Sequence, residues 1–105
     1  MNRRVAWSAD AIDDLGDVFD FVAESDPAFA RRLIERIEIA GVRLGTHATG
    51  RPGRVSHTYE KSLPELRYII AYEIDEQPGV LNILRVIHTS REWLPGTWPT
   101  KPKPR

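Results

Sequence analysis

The stretch ILRVIHTSREW, Ile83 to Trp93, ends an apolar run in a histidine, two hydroxyls and an arginine. Neutral imidazole at His88 can take or give a proton near neutral pH, and Arg91 can hold an anion beside it. Arg85 within the run, and His57, Glu60, Lys61 and Arg67 upstream, are residues that neighbouring strands could gather around the same point. Together they meet the needs of RNA cleavage: a base for the 2′-hydroxyl, an acid for the leaving oxygen and cations for the phosphorane charge. The same residue types are common on any charged sheet, and a histidine at a strand end more often serves structure. Strict alternation places Leu81, Ile83, Arg85 and Ile87 on one face, with Leu84, Val86 and His88 on the other. Arg85 then lies among apolar neighbours and needs a carboxylate, for which Glu73 or Glu65 on the adjoining strand is expected.

Other chemistries lack their residues. The chain has no cysteine, which removes disulfides, thiolate zinc sites and a cysteine nucleophile together. It contains no phosphate-cradling glycine loop, no H-E-x-x-H and no G-x-S-x-G. His47 and His57 flank a glycine-rich loop without metal-ligand spacing, so neither a metal nor a cofactor is expected. Fifteen basic and fifteen acidic residues cancel, leaving no global field to draw the molecule to nucleic acid. The distribution is uneven: residues 1–47 carry six Lys or Arg against nine Asp or Glu, and residues 48–105 carry nine against six. At 105 residues one core is expected, in a domain spanning 1–98 with a Pro/Lys-rich, disordered tail at 99–105. No run approaches the roughly 18 to 20 apolar residues of a membrane helix, and a cytoplasmic location is expected.

The elements that would position these residues follow from period and punctuation. RRVAWS alternates, as a short strand with one apolar face does. Ser8 can cap a helix whose first turn holds Asp10, and Ile12, Leu15, Phe19 and Val22 recur at helical spacing. The intervening aspartates read as a solvated face. Asp26 and Pro27 start a second helix, with Ala30, Leu33, Ile34, Ile37, Gly41 and Leu44 as its apolar stripe and Gly41 allowing close approach. The two helices form an antiparallel hairpin. Residues 45–53 form a loop, RVSHTYEKS reads as an edge strand, and LRYIIAYEID and VLNILRVIH are strands joined by the DEQPG turn. The predicted fold is α+β: a strand, the helical hairpin, then a three-stranded antiparallel meander, in two layers. Trp93 and Trp98 are expected to cover the sheet.

This arrangement resembles the RelE/ParE superfamily of toxins from bacterial type II toxin-antitoxin pairs. The likeness spans nearly the whole chain. It rests on a strand leading into SADAIDDL, on GRPGRV after the hairpin, on YIIAYEID, and on ILRVIHTSREW with WP shortly after, similar to the superfamily's RVLH-x-x-R-x-W ending. The resemblance implies a cognate antitoxin as partner, operator DNA contacted only through that antitoxin, and no membrane or cofactor. It implies either of two targets, the ribosome with its mRNA or DNA gyrase. In the nuclease branch His88, Arg91, Arg67 and Arg85 would carry catalysis; in the gyrase branch the charged sheet face and C-terminal segment, with Arg54, His57, Lys61, Trp93 and Trp98, would bind. Where RelE carries an arginine in the strand equivalent to YIIAY, this chain has Ile69. Arg67, two residues away on the same predicted face, would be displaced by about 7 Å. That departure and the neutral net charge favour the gyrase branch.

Overall fold

The computed structural model describes residues 2–91, 93 and 96–99. Seven elements follow one another: β1 (Arg4–Trp7), α1 (Ala9–Ala23), α2 (Pro27–Arg43), β2 (Arg51–Pro52), β3 (Tyr59–Leu63), β4 (Tyr68–Asp75) and β5 (Val80–His88). The strands form one sheet in the order β1-β5-β4-β3-β2, antiparallel except for the β1–β5 pair. Two helices on a mostly antiparallel sheet make the predicted α+β architecture, with one small strand added at the edge. Among the described residues no helix is long and apolar enough to cross a membrane.

Both helix starts form as the sequence predicts. Ser8 accepts the Ala11 N–H at 3.0 Å and Asp26 accepts the Phe29 N–H at 3.0 Å, each satisfying a donor that has no partner within its helix. Ser8 also joins the layers: its backbone N–H donates to the Ile83 carbonyl and its Oγ to that of Leu84, both at 2.9 Å. Gly41 of α2 rests against β1, and a Cβ there would come within 2.6 Å of the Trp7 ring. The 75–79 turn closes as expected, with the Gly79 N–H donating to the Asp75 carbonyl at 2.9 Å.

Three expectations are corrected. The buried side of α1 is Ala11 and Asp14, with Leu15, Val18 and Val22 packed against the core, so Ile12 faces outward. Residues 54–58 form a turn rather than a strand, because His57 takes a left-handed φ of 65° and the Gly53 N–H closes onto the Thr58 carbonyl at 2.8 Å. Only Tyr59–Leu63 then pairs with β4, and Arg51–Pro52 supplies the outermost strand. The third correction concerns β5. Ala71 is opposite Arg85 but Tyr72 is opposite Ile83, so Leu84 is an extra residue in the ladder. A bulge of this kind shifts the alternation by one. Leu81, Ile83 and Val86 therefore all enter the core with Tyr68, Ile70 and Tyr72, and His88 follows on that side. Of the expected 99–105 tail, Pro99 is described and half-buried, and the remainder lies outside the described residues.

Candidate functional site

Beyond Trp7 the chain leaves β1, and α1 takes its place along the outer edge of β5. Asp14 meets that edge. Its Oδ2 accepts the Arg85 Nε–H at 2.8 Å and the Val86 backbone N–H at 2.9 Å, while Oδ1 accepts from Arg85 Nη2 at 3.2 Å. Both side chains are largely removed from water, 13% exposed for Arg85 and 5% for Asp14. The partner of Arg85 is thus Asp14 and neither Glu73 nor Glu65; Glu65 instead pairs at 3.5 Å with exposed Arg36. Asp14 also departs from the solvated face predicted for the acidic helix. A signal was present: Asp14 stands three residues after Ala11 and four before Val18, on the buried stripe.

The other candidates converge at the end of β5. His88 is half-buried opposite Tyr68, whose ring stands edge-on to the imidazole at a centroid distance of 5.0 Å. Its Nδ1 receives the Ser90 backbone N–H at 3.0 Å and contacts Ser90 Oγ at 2.7 Å. Arg67 does not continue a strand face. It precedes β4 with a left-handed φ of 65°, and its carbonyl accepts the Thr89 N–H at 2.9 Å, which ties it to the residue after His88. A non-glycine residue held in that conformation stores strain, which persists where the surrounding structure over-determines it. Burial lowers the His88 pKa below the ordinary imidazole value, and the charges of Arg67 and Arg91 lower it further. Burial raises that of the Tyr68 phenol, against the pull of Arg91. His88 is accordingly neutral at pH 7.

Tyr68, His88, Ser90 and Arg91, but not Arg67, line a groove of about 1060 Å³ between α1 and the end of β5. One wall carries His88, Ser90 and Arg91, and the other carries Asp13, Asp17 and Asp20 with Phe21 and Ile12. Those two apolar side chains are 77% and 57% exposed. Tyr68 and the aspartate wall go beyond the residues singled out from the sequence. Ser90 is one of the two hydroxyls noted after His88, and a side chain two positions on can reach back around a turn. A second groove, of about 460 Å³, runs between α2 and β3, where Arg36, Arg43 and Lys61 surround Ile39, Leu63 and Leu66.

The expected binding residues do not form one surface. Lys61 belongs to the second groove, and His57 lies exposed in the 54–58 turn. The Arg54 guanidinium lies 4.2 Å over the Trp93 ring, while its backbone N–H donates to Glu60 at 2.7 Å and its carbonyl accepts from Gly96 at 3.1 Å. Trp93 has a buried indole N–H without a hydrogen-bond partner and Trp98 is half-buried. None of these five residues lines the α1–β5 groove. Among the described residues no group of three or more His, Cys, Asp or Glu is placed to hold a metal ion.

Two helices on a five-stranded, mostly antiparallel sheet are the fold of the ParE and RelE structures this chain resembles. The structure superimposes on the chromosomal ParDE system from P. aeruginosa with a TM-score of 0.76 at 21% identity, covering 84% of this chain and 97% of that one. It matches the toxin-antitoxin complex RelBE2 from Mycobacterium tuberculosis with a TM-score of 0.59 at 23% identity, over 84% and 92%. In sequence it is 34% identical over 92 residues to the Y4kP protein of Sinorhizobium fredii (strain NBRC 101917 / NGR234), covering 87% of this chain and 93% of that protein. The family described as the ParE toxin of the type II toxin-antitoxin system, parDE, matches residues 5–93, and the chain belongs to it.

Proposed function

We propose that this toxin is held inactive by a cognate antitoxin and, when released, poisons DNA gyrase by binding it through the α1–β5 groove. The observation that carries the choice of target is the wall of Asp13, Asp17 and Asp20 facing His88 and Arg91. An RNA strand laid through the groove would bring successive phosphates against three carboxylates, and like charges at such range repel. A protein surface can meet both walls, with acidic groups toward Arg91, basic groups toward the aspartates and apolar side chains on Ile12 and Phe21. The placement of Arg85 supports the same reading, since its pairing with Asp14 removes one of the four cations and imidazoles available to a nuclease. The similarity to the ParDE system and to the toxin-antitoxin complex RelBE2 supports the antitoxin partner.

A ribosome-dependent nuclease is the second reading, favoured by His88 and Arg91 lining one groove. The two are separated by adding the purified chain to gyrase with supercoiled plasmid, and in parallel to ribosomes programmed with a defined mRNA. Linear plasmid after detergent and protease treatment, with intact message, is the expected result. Cleaved message with unbroken plasmid would replace the gyrase reading by the nuclease one.

A further inference from the structure

We propose that residues 100–105, Thr-Lys-Pro-Lys-Pro-Arg, dock along α1 in the α1–β5 groove, so that the toxin carries an occupant for its own target surface. The described chain leads the segment there. Pro99, the residue before it, is half-buried and lines the groove together with Asp13, Asp20 and Phe21. The approach to Pro99 is held from behind. The Arg54 guanidinium lies over the Trp93 ring, and the Gly96 N–H donates to the Arg54 carbonyl at 3.1 Å, three residues before Pro99. Residues 100–105 therefore start at the groove.

Charge selects the wall. Lys101, Lys103 and Arg105 are cations, and no acidic side chain stands among them. Asp13 and Asp20 are exposed and form no ion pair with a described residue; Asp17, between them, is already engaged. Arg91 on the facing wall, also engaged, bears the segment's own sign and turns it toward α1. Spacing agrees with charge. Seven helical residues, the separation of Asp13 and Asp20, span about 10 Å. Alternating prolines hold the segment extended at about 3.1 Å per residue, which sets Lys101 and Arg105 about 12 Å apart. Ile12 and Phe21, both exposed in the groove, offer the apolar ground on which extended proline-rich segments rest. Ion pairs at such a surface are individually weak, but the tether at Pro99 supplies an effective concentration on the order of millimolar. That a target meets the same wall rests on the gyrase reading above; under it, the segment must leave before the target enters.

The chain has no cysteine, so Pro104→Cys in the full chain takes a single nitroxide label and keeps all three cations. In the ¹⁵N-labelled protein the amide signals of Asp13, Asp20 and Phe21 should lose at least half their intensity, while those of Arg43 and Lys61 at the second groove keep theirs. Asp13→Asn with Asp20→Asn should restore most of the lost signal. Raising NaCl from about 0.05 to 0.5 M should do the same, as the Debye length contracts. Equal broadening at both grooves, or broadening that ignores the two Asn substitutions, would overturn the docking. So would the same broadening with nitroxide and ¹⁵N on separate molecules, which would place the segment on a second copy. Lys101→Ala, Lys103→Ala and Arg105→Ala together should then raise the linear plasmid formed with gyrase by about threefold or more at limiting toxin, as release of an occluded majority does. An unchanged or lower yield, where the wild type does break plasmid, would overturn the occlusion. No linear plasmid from either protein, with the groove-specific broadening intact, would remove the gyrase reading and leave the docking standing.

Discussion

Two arginines three positions on either side of His88 have opposite fates. Arg85 lies at a bulge, turns toward α1 and is enclosed with Asp14, whose carboxylate also takes the Val86 N–H. Arg91 lies past the end of the strand, exposed, where with Arg67 it lowers the pKa of the imidazole between them. One end of the segment holds the fold together, and the other is the one the proposed function gives to a partner. Residue type does not separate them. What separates them is how far the surrounding structure removes each from water.

The largest effect expected from breaking this contrast comes at Asp14. Asp14→Ala leaves the Arg85 guanidinium and the Val86 N–H without their acceptor in a closed site, at a cost of about 3–5 kcal/mol in urea unfolding. The paired replacement Asp14→Leu with Arg85→Met should recover most of that loss, because the desolvation penalty of both charges disappears with them. Destabilisation by the pair equal to the sum of its parts would show that the two ends are energetically alike.

Charge reversal at the exposed end should do the reverse. Arg91→Glu or Arg67→Glu is expected to change unfolding free energy by no more than about 0.5 kcal/mol, as surface substitutions do. The linear plasmid formed with gyrase should fall by about tenfold or more.

A smaller effect is expected from pH. The folded state holds the His88 pKa below its unfolded value, so between the two the unfolded chain binds more protons. The contribution is therefore fully present above the ordinary imidazole value of about 6.5 and is lost as pH falls through it toward the depressed folded value. His88→Asn should flatten the stability profile in that window, measured by denaturation at a series of pH values. The smallest effect is expected at Arg36 and Glu65, whose ion pair spans 3.5 Å with side chains 59% and 82% exposed. Arg36→Ala should cost less than about 0.5 kcal/mol, against several for the buried pair.

What the sequence made legible is local or repetitive. Ser8 and Asp26–Pro27 announce helix starts because a cap and its donor lie within one turn. The strand periodicity and the 75–79 turn gave the meander, and ILRVIHTSREW gave the strand end at which the candidate residues lie. The partner of Arg85 was hidden because it lies 71 residues away and because the bulge at Leu84 redirects the side chain. A bulge depends on the register of two strands, and one strand's alternation carries no record of it. The left-handed Arg67 was hidden for a related reason: no glycine marks it, and the Thr89 N–H that holds it belongs to another strand's end. Ile12 misled because its spacing suited either of two overlapping stripes.

The parallel pairing of β1 with β5 has a consequence for when the toxin comes into being. Residues 4–7 are made well before residues 80–83, the neighbours they pair with. Closing so long a loop is favourable only once the strand that rewards it exists, which makes such contacts late events in folding. During translation β1 must wait, and α1, whose Ser8 and Asp14 attach to residues 83–86, has no edge to dock on until then. The groove has both walls only after that docking. A nascent chain that has not yet reached residue 86 therefore lacks the groove proposed to meet the target, which leaves an interval in which an already present inhibitor can meet each molecule as that groove forms.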